Sequence, residues 1–261
     1  MKKIFALLLA AALFLSLAAC AGNSGAQSDL DYIKQKGTLV VGITDFAPMD
    51  YEDENGNWIG FDADMAAAFA ASLGVQVEFQ IIDWDNKVPE LNGKAIDCVW
   101  NGMTLTDEVK SAMETSNAYC NNAQVAIVRA ELAEQYQTVE SLSGLTFAVE
   151  SGSAGKAMAE QYGFDFIEVV DQATALLEVK SGTADAAIID ALMAGAMVGE
   201  GTDYADLTYT VSLNSEEYGV GFRKGSDLAA ALNEFFKAAY ADGSLQACAE
   251  QYGIQAALIP Q

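Results

Sequence analysis

The chain has 261 residues, 37 acidic against 13 basic, and a net charge of −24 with no histidine. That acidity repels phosphate backbones, and with Arg129 and Arg223 as the only arginines it excludes nucleic-acid binding. The absence of histidine removes the common His-based zinc sites and the Ser-His-Asp and Cys-His catalytic arrangements. No metal site, catalytic set or cofactor is therefore nominated.

Lys2 and Lys3 precede an apolar run from Ile4 to Leu15, and Leu17-Ala18-Ala19 leads directly into Cys20. A charged start, a short apolar stretch and small residues before a cleavage point describe an export signal over residues 1–19. A cysteine at that point is the bacterial lipoprotein form, in which it becomes the acylated N-terminus. The alternative is an ordinary secreted protein with an incidental cysteine. Several acyl chains, at ~0.8 kcal/mol per buried methylene, hold a protein on a membrane where one chain is marginal. The expected location is therefore the cell surface or periplasmic face of the membrane, anchored at Cys20. Residues 20–28, small and polar after Cys20, form the tether.

A short helix over residues 30–36 stops at Gly37, and Thr38-Leu39-Val40-Val41-Gly42-Ile43 reads as a buried strand. Asn55-Gly56 signals a two-residue hairpin turn before Trp58-Ile59. A helix over 62–72 carries Met65, Phe69 and Leu73 on one face, and 75–81 alternates as a strand. Further strands fall at Val99, 125–128, 147–149, 166–170, 186–189 and 218–223, and helices over 228–241 and 245–251 close the chain. This is an α/β pattern with largely parallel sheets, and a second β-α-β unit begins near Leu145. Of the cysteines after Cys20, Cys98 fits a buried strand, and one disulfide among Cys98, Cys120 and Cys248 is open.

Ligands of open α/β sheets bind beyond the carboxyl ends of strands. The residues there are Asp45-Phe46, Trp84, Asn101-Gly102-Met103-Thr104, Glu150-Ser151-Gly152-Ser153-Ala154 and Asp190. Gly60-Phe61-Asp62-Ala63-Asp64-Met65 resembles the signature of the polar amino acid solute-binding proteins of ABC importers. The segments Asp97–Thr106, Glu150–Ala154 and Gly182-Thr183-Ala184-Asp185-Ala186 resemble the same family, in the same order, from about Leu30 to Gln251. Ala63 departs from the larger apolar residue usual there.

The resemblance implies a two-lobe, type II periplasmic-binding-protein-like fold that closes about a hinge on a small ligand. Lobe 1 would be 29–121 plus 217–261, and lobe 2 would be 122–216. It implies an ammonium held by Asp190, a carbonyl near Asn101-Gly102 and the Thr104 hydroxyl. Asp190 also suits a helix N-cap, and Asp185 a turn. The carboxylate would meet Ser153 and the N–H groups around Ala154 at a helix start, a position that equally fits a Gly-Ser cap. Phe46 and Trp84 match the aromatic walls, Trp100 is either a third wall or core, and Asp45 and Glu150 lie near specificity positions. If both acids face the ligand, a cationic or amide-bearing solute fits better than an acidic one.

One position breaks the pattern. The family's carboxylate-binding arginine would stand five residues after Thr104, where this chain has Val109 followed by Lys110. Lys87 and Lys156 are the other candidate cations; a lysine supplies a point charge without the bidentate fork. The expected function is capture of a polar solute, most simply an amino acid, by a monomer that delivers it to an ABC permease. The rivals are a cyclohexadienyl-dehydratase-like enzyme, with Glu150 as its acid, and a receptor's sensory domain.

Overall fold

In the computed structural model, residues 28–261 are described; the expected leader, Cys20 and most of the expected tether lie outside them. Ser28 caps the first helix, α1 (Asp29–Lys36), by accepting from Asp31 N at 2.9 Å. Strand β1 (Thr38–Ile43) follows, then the short pair β2 (Tyr51–Glu52) and β3 (Trp58–Ile59). The turn between β2 and β3 is five residues long rather than two, because Glu52 pairs with Trp58. Asp53 closes it by accepting from the backbone N–H groups of Asn55 and Asn57, each at 2.8 Å.

Helix α2 (Phe61–Leu73) buries Met65 and Phe69 beneath the first sheet. Phe69 meets Trp100, and Trp100 meets Phe236 edge-on at 5.5 Å. Trp100 is fully buried in this core, so it is a packing residue and not a wall of any cleft. Each such aromatic contributes roughly 1.5–3 kcal/mol through burial.

The first sheet continues with β4 (Gln76–Ile81), β5 (Cys98–Val99) and β6 (Glu114–Thr115), with α3 (Lys87–Asn92) and α4 (Asp107–Ala112) between. Its order is β4-β1-β5-β14-β6, where β14 is Gly221–Phe222. The second sheet uses β8 (Gln124–Arg129), β9 (Thr146–Glu150), β10 (Asp165–Val169), β11 (Ala186–Asp190) and β12 (Leu207–Ser212) in the order β10-β9-β11-β8-β12. Helices α5 (Ala154–Tyr162), α6 (Gln172–Ser181) and α7 (Ala191–Met197) follow β9, β10 and β11.

Parallel pairing covers only half of each sheet. β1 is parallel to β4 and β5, and β9 to β10 and β11, but β14 and β8 run antiparallel to their neighbours. These two strands arrive directly from the other lobe, without the helical crossover that a parallel connection needs. The crossings are β7 (Cys120–Asn122) and β13 (Glu216–Tyr218), which pair antiparallel as a separate two-stranded ribbon. The junctions placed at 121/122 and 216/217 fall inside these strands. The expected strand over 218–223 is thus two strands, because Gly219 N turns away to Met103 O at 2.9 Å.

Helices α8 (Leu228–Asp242) and α9 (Ser244–Gln251) return to cover the first sheet. Cys98, Cys120 and Cys248 are all free thiols, and the first two are fully buried. Among the described residues no helix is long and apolar enough to cross a membrane.

Candidate functional site

A cleft of ≈ 530 Å³ opens between the lobes, at the carboxyl ends of β1, β5, β9 and β11. Of the residues expected there, Phe46, Trp84, Asn101, Gly102, Met103, Thr104, Glu150, Ser153, Ala154 and Asp190 line it. Asp45 does not. It is solvent-exposed beyond the end of β1, while its neighbours Thr44 and Phe46 point inward. Alternation along an extended segment sends adjacent side chains to opposite faces, so only one set can line a cleft.

Lobe 1 holds its wall with a buried polar network. Asn101 Oδ1 accepts from Thr44 N and Thr44 Oγ1, and Asn101 Nδ2 donates to Asp50 Oδ2 at 2.8 Å. Asp62, fully buried at the start of α2, accepts from Gly102 N and from the Tyr119 hydroxyl, each at 2.7 Å. Burial lifts the Asp62 carboxyl to about 7 despite those donors. The Gly102 backbone is left-handed, and a β-carbon there would sit 2.4 Å from the Phe46 ring. Only glycine allows the aromatic wall and this turn to meet.

On the lobe 2 side Asp190 ends β11. It holds the cap position of α7, but its side chain makes no cap hydrogen bond and faces the cleft instead. Its carboxylate accepts from the Tyr218 hydroxyl at 2.6 Å, from Gln124 Nε2 at 3.0 Å, and from the amides of Asn122 and Gln172. Burial, reinforced by Glu216, still raises it from 3.8 to about 7. Glu216, on the crossing strand, accepts from Thr104 of lobe 1 and from Asn122 and Gln124, at 2.7–2.9 Å. The hinge and the acidic end of the cleft are therefore one hydrogen-bonded unit.

Glu150 is 3% exposed and its Oε1 has no hydrogen-bond partner. Burial pushes its carboxyl well up, with Asp190 and Asp171 adding and Lys87 opposing. Ser153 caps α5 by accepting from Lys156 N at 3.1 Å, and it lines the cleft as well. Asp185 accepts from Thr146 N at 2.9 Å, a turn contact away from the cleft.

Val109 lines the cleft, buried in one apolar cluster with Met103, Met113 and Trp84. Neither arginine replaces the missing guanidinium. Arg223 is committed to Asp29, Asp97 and the Ile96 carbonyl, and Arg129 reaches the Val179 carbonyl. Of the candidate lysines, Lys110 is exposed outside the cleft, and Lys156 lines it but pairs with Glu168 at 3.0 Å. Lys87 lies inside it, 9% exposed, with its ammonium 4.8 Å over the Trp84 ring. Burial lowers the Lys87 ammonium from its usual 10.5. Among the described residues no group of three or more metal-ligating side chains is present.

Thr44, directly after β1, falls under the strand-end rule without being named as a candidate; Gln172, Gln124, Asn122, Glu216 and Tyr218 are site residues that sequence reasoning did not reach. Gln172 follows β10 and would have come from applying the strand-end rule to every strand. The other hinge residues carry no local signal, because the crossing strands bring them in from remote sequence.

Two α/β lobes, joined by two crossing strands around a small-molecule-sized cleft at strand ends, make this a hinged solute-binding protein of two-lobe periplasmic type. Residues 39–255 match the family described as "Bacterial extracellular solute-binding proteins, family 3", and the chain belongs to that family. It is 31% identical over 254 residues to the arginine-binding extracellular protein ArtP of Bacillus subtilis (strain 168), covering 94% of this chain and 96% of that one. Among solved structures it resembles the P235GK mutant of ArgBP from T. maritima, with TM-score 0.80 and 35% identity over 86% of this chain and 98% of that one. It also resembles the ancestral amino acid-binding protein AncCDT-1, described as a precursor of cyclohexadienyl dehydratase. There the TM-score is 0.79 and the identity 32%, covering 86% of this chain and 99% of that one.

Proposed function

We propose that this protein captures a free amino acid with a cationic or amide-bearing side chain and delivers it to the permease of an ABC importer. The observation that carries the reading is the pair of buried carboxyls, Asp190 and Glu150, facing one cleft between the aromatic walls Phe46 and Trp84. Asp190 receives the α-ammonium, with Thr104 and the Asn101-Gly102 turn beside it. The unpartnered oxygen of Glu150 receives the distal cation or amide, since a buried acceptor without a donor is costly until one arrives. The kinship with arginine- and amino-acid-binding proteins supports the same class.

The protein works as a monomer held at the membrane through acylated Cys20. The tether keeps it at high effective concentration near a fixed transporter. A thermal-shift panel of L-amino acids on protein lacking residues 1–20 tests the binding. Arginine, lysine or glutamine at a hundredfold excess over Kd should stabilise the fold by ~2.7 kcal/mol. No shift from any amino acid refutes the reading. Loss of membrane association in Cys20→Ala tests the anchor.

A second reading keeps the fold and adds chemistry. Burial pushes the Glu150 carboxyl up, which favours the proton-bearing form an acid catalyst for dehydration would require. Formation of an aromatic product from prephenate by the purified protein, abolished in Glu150→Gln, would favour it; tight amino-acid binding without turnover rejects it.

A further inference from the structure

Lys87 is a buried cation without an anion. It is 9% exposed, yet among the described residues it forms no ion pair. Its Nζ donates to the Trp84 carbonyl of lobe 1 and to the Gly152 carbonyl of lobe 2, each at 3.0 Å. An ammonium has three hydrogens, and two carbonyls leave one undirected. A buried charge with only neutral partners is expensive unless a counter-charge completes it.

The counter-charge is not supplied by Glu150, although both residues line the same cleft and each opposes the shift of the other. Glu150 Oε1 is itself unpartnered. The cleft thus holds an ammonium lacking an anion and a carboxyl with one oxygen lacking a donor, kept apart. A molecule carrying both an anionic and a donor end satisfies the two at once.

The surroundings of the ammonium fix which end it takes. Gly152, whose carbonyl it contacts, lies in the turn that opens the nine-residue helix α5. The first N–H groups of a helix lack intrahelical partners and favour an anion. Ser153 accepts from Lys156 N and keeps its own hydrogen to donate. Lys87 enters from lobe 1, whereas Ser153 and α5 belong to lobe 2. An anion seated between them would be gripped from both sides, and only when the lobes are closed.

We infer that Lys87, with Ser153 and the start of α5, anchors the α-carboxylate of the ligand, taking over from α3 the role that Val109 cannot perform. The inference rests on the amino-acid reading above. It assigns the carboxylate to a single point charge that also latches the two lobes, in place of a guanidinium fork. A point charge accepts more than one carboxylate orientation, so the ligand's pose is set by Glu150 and Asp190 rather than by this end.

Calorimetric titration of L-arginine and L-glutamine, each against its α-carboxamide (L-argininamide and L-glutaminamide), tests the assignment in the wild type, Lys87→Met and Lys87→Arg. The wild type should prefer each acid over its amide by about 100-fold, and Lys87→Met should reduce that preference to below about 5-fold. Lys87→Arg should retain most of it. If Lys87→Met weakens acid and amide equally, Lys87 is a lobe latch only and the assignment is wrong. An undiminished preference in Lys87→Met also overturns it. Amide binding as tight as acid binding in the wild type overturns it while leaving the solute-binding reading intact. Binding of neither amino acid nor amide removes both.

Discussion

Lowering the pH from 7.5 to 5.5 should weaken binding of an amino acid by protonating Asp190. The carboxyl is lifted to about 7, chiefly by burial and then by Glu216, against an ordinary 3.8. An α-ammonium pairs with the carboxylate and not with the acid, so ligand must expel the proton whenever the pH is below 7. The apparent Kd therefore scales as one plus ten to the power of 7 minus pH, a change of ~25-fold between the two conditions. The unliganded fold changes in the opposite sense. Between 3.8 and about 7 the native state keeps a proton that the unfolded chain has lost, so stability falls as the pH rises through that window. Asp190 faces Glu216 and Tyr218 on β13, Gln172 on α6, Gln124 on β8 and Asn122 on β7, with Glu150 acting on it from β9. Glu150 is raised in the same direction, so the titration is repeated in Glu150→Gln. Calorimetry in two buffers of different ionisation enthalpy counts the proton released, and Asp190→Asn should abolish both the release and the pH dependence. Equal Kd at both pH values, with no proton exchanged, would refute the assignment of the ammonium to Asp190.

Glu150→Gln should lower affinity for arginine and lysine by ~10- to 100-fold, the range of a charge-assisted hydrogen bond, while glutamine binding changes little; competition calorimetry reads the ratio. Gly152→Ala places a β-carbon 2.8 Å from Asp85 Cα across the lobe boundary. The left-handed backbone costs ~1–2 kcal/mol of stability, but the larger effect is on closure, seen as a more than tenfold loss of amino-acid affinity and a wider liganded particle by small-angle scattering. Unchanged affinity would mean that the lobes close without this contact. Gly102→Ala drives a β-carbon into Phe46 and Tyr218 and should cost ~2–4 kcal/mol in urea unfolding, from strain plus overpacking. A loss below about 1 kcal/mol would show that the Phe46 wall yields.

The fold was legible where local signals and global packing agree. Gly37 and Gly74 stop α1 and α2 as left-handed caps, and the apolar run 38–43 forms a parallel central strand. Antiparallel strands β8 and β14 were not legible as such, because their direction follows from crossing between lobes and not from their own composition. Strand-end positions located most of the cleft, since that rule depends only on topology. It failed at Asp45, where a one-residue step along an extended segment changes the face. It left Trp100 open between wall and core, because the neighbours that bury it, Phe69 and Phe236, come from distant helices. Hinge residues Asn122, Gln124 and Glu216 left no mark, for their meaning exists only once both crossing strands are paired.

Replacing an arginine by Val109 changes more than one contact. A guanidinium on α4 would neutralise part of a cleft rim that carries Asp85, Asp107, Glu108 and Glu160. Without it the rim attracts cations and repels acidic solutes before any contact is made. Lys87, buried within the cleft, is then selective by position: it lies where lobe 1 touches Gly152, so an anion is bound only in the closed arrangement. A ligand gains affinity for closure in proportion to the contacts it makes to both lobes. An ammonium alone reaches the Asp190 end, and a carboxylate alone meets the acidic rim. Only a solute carrying both charges engages the hinge network and the Lys87 latch together, and closure thereby selects for a zwitterion without the fork that would have recognised its carboxylate shape.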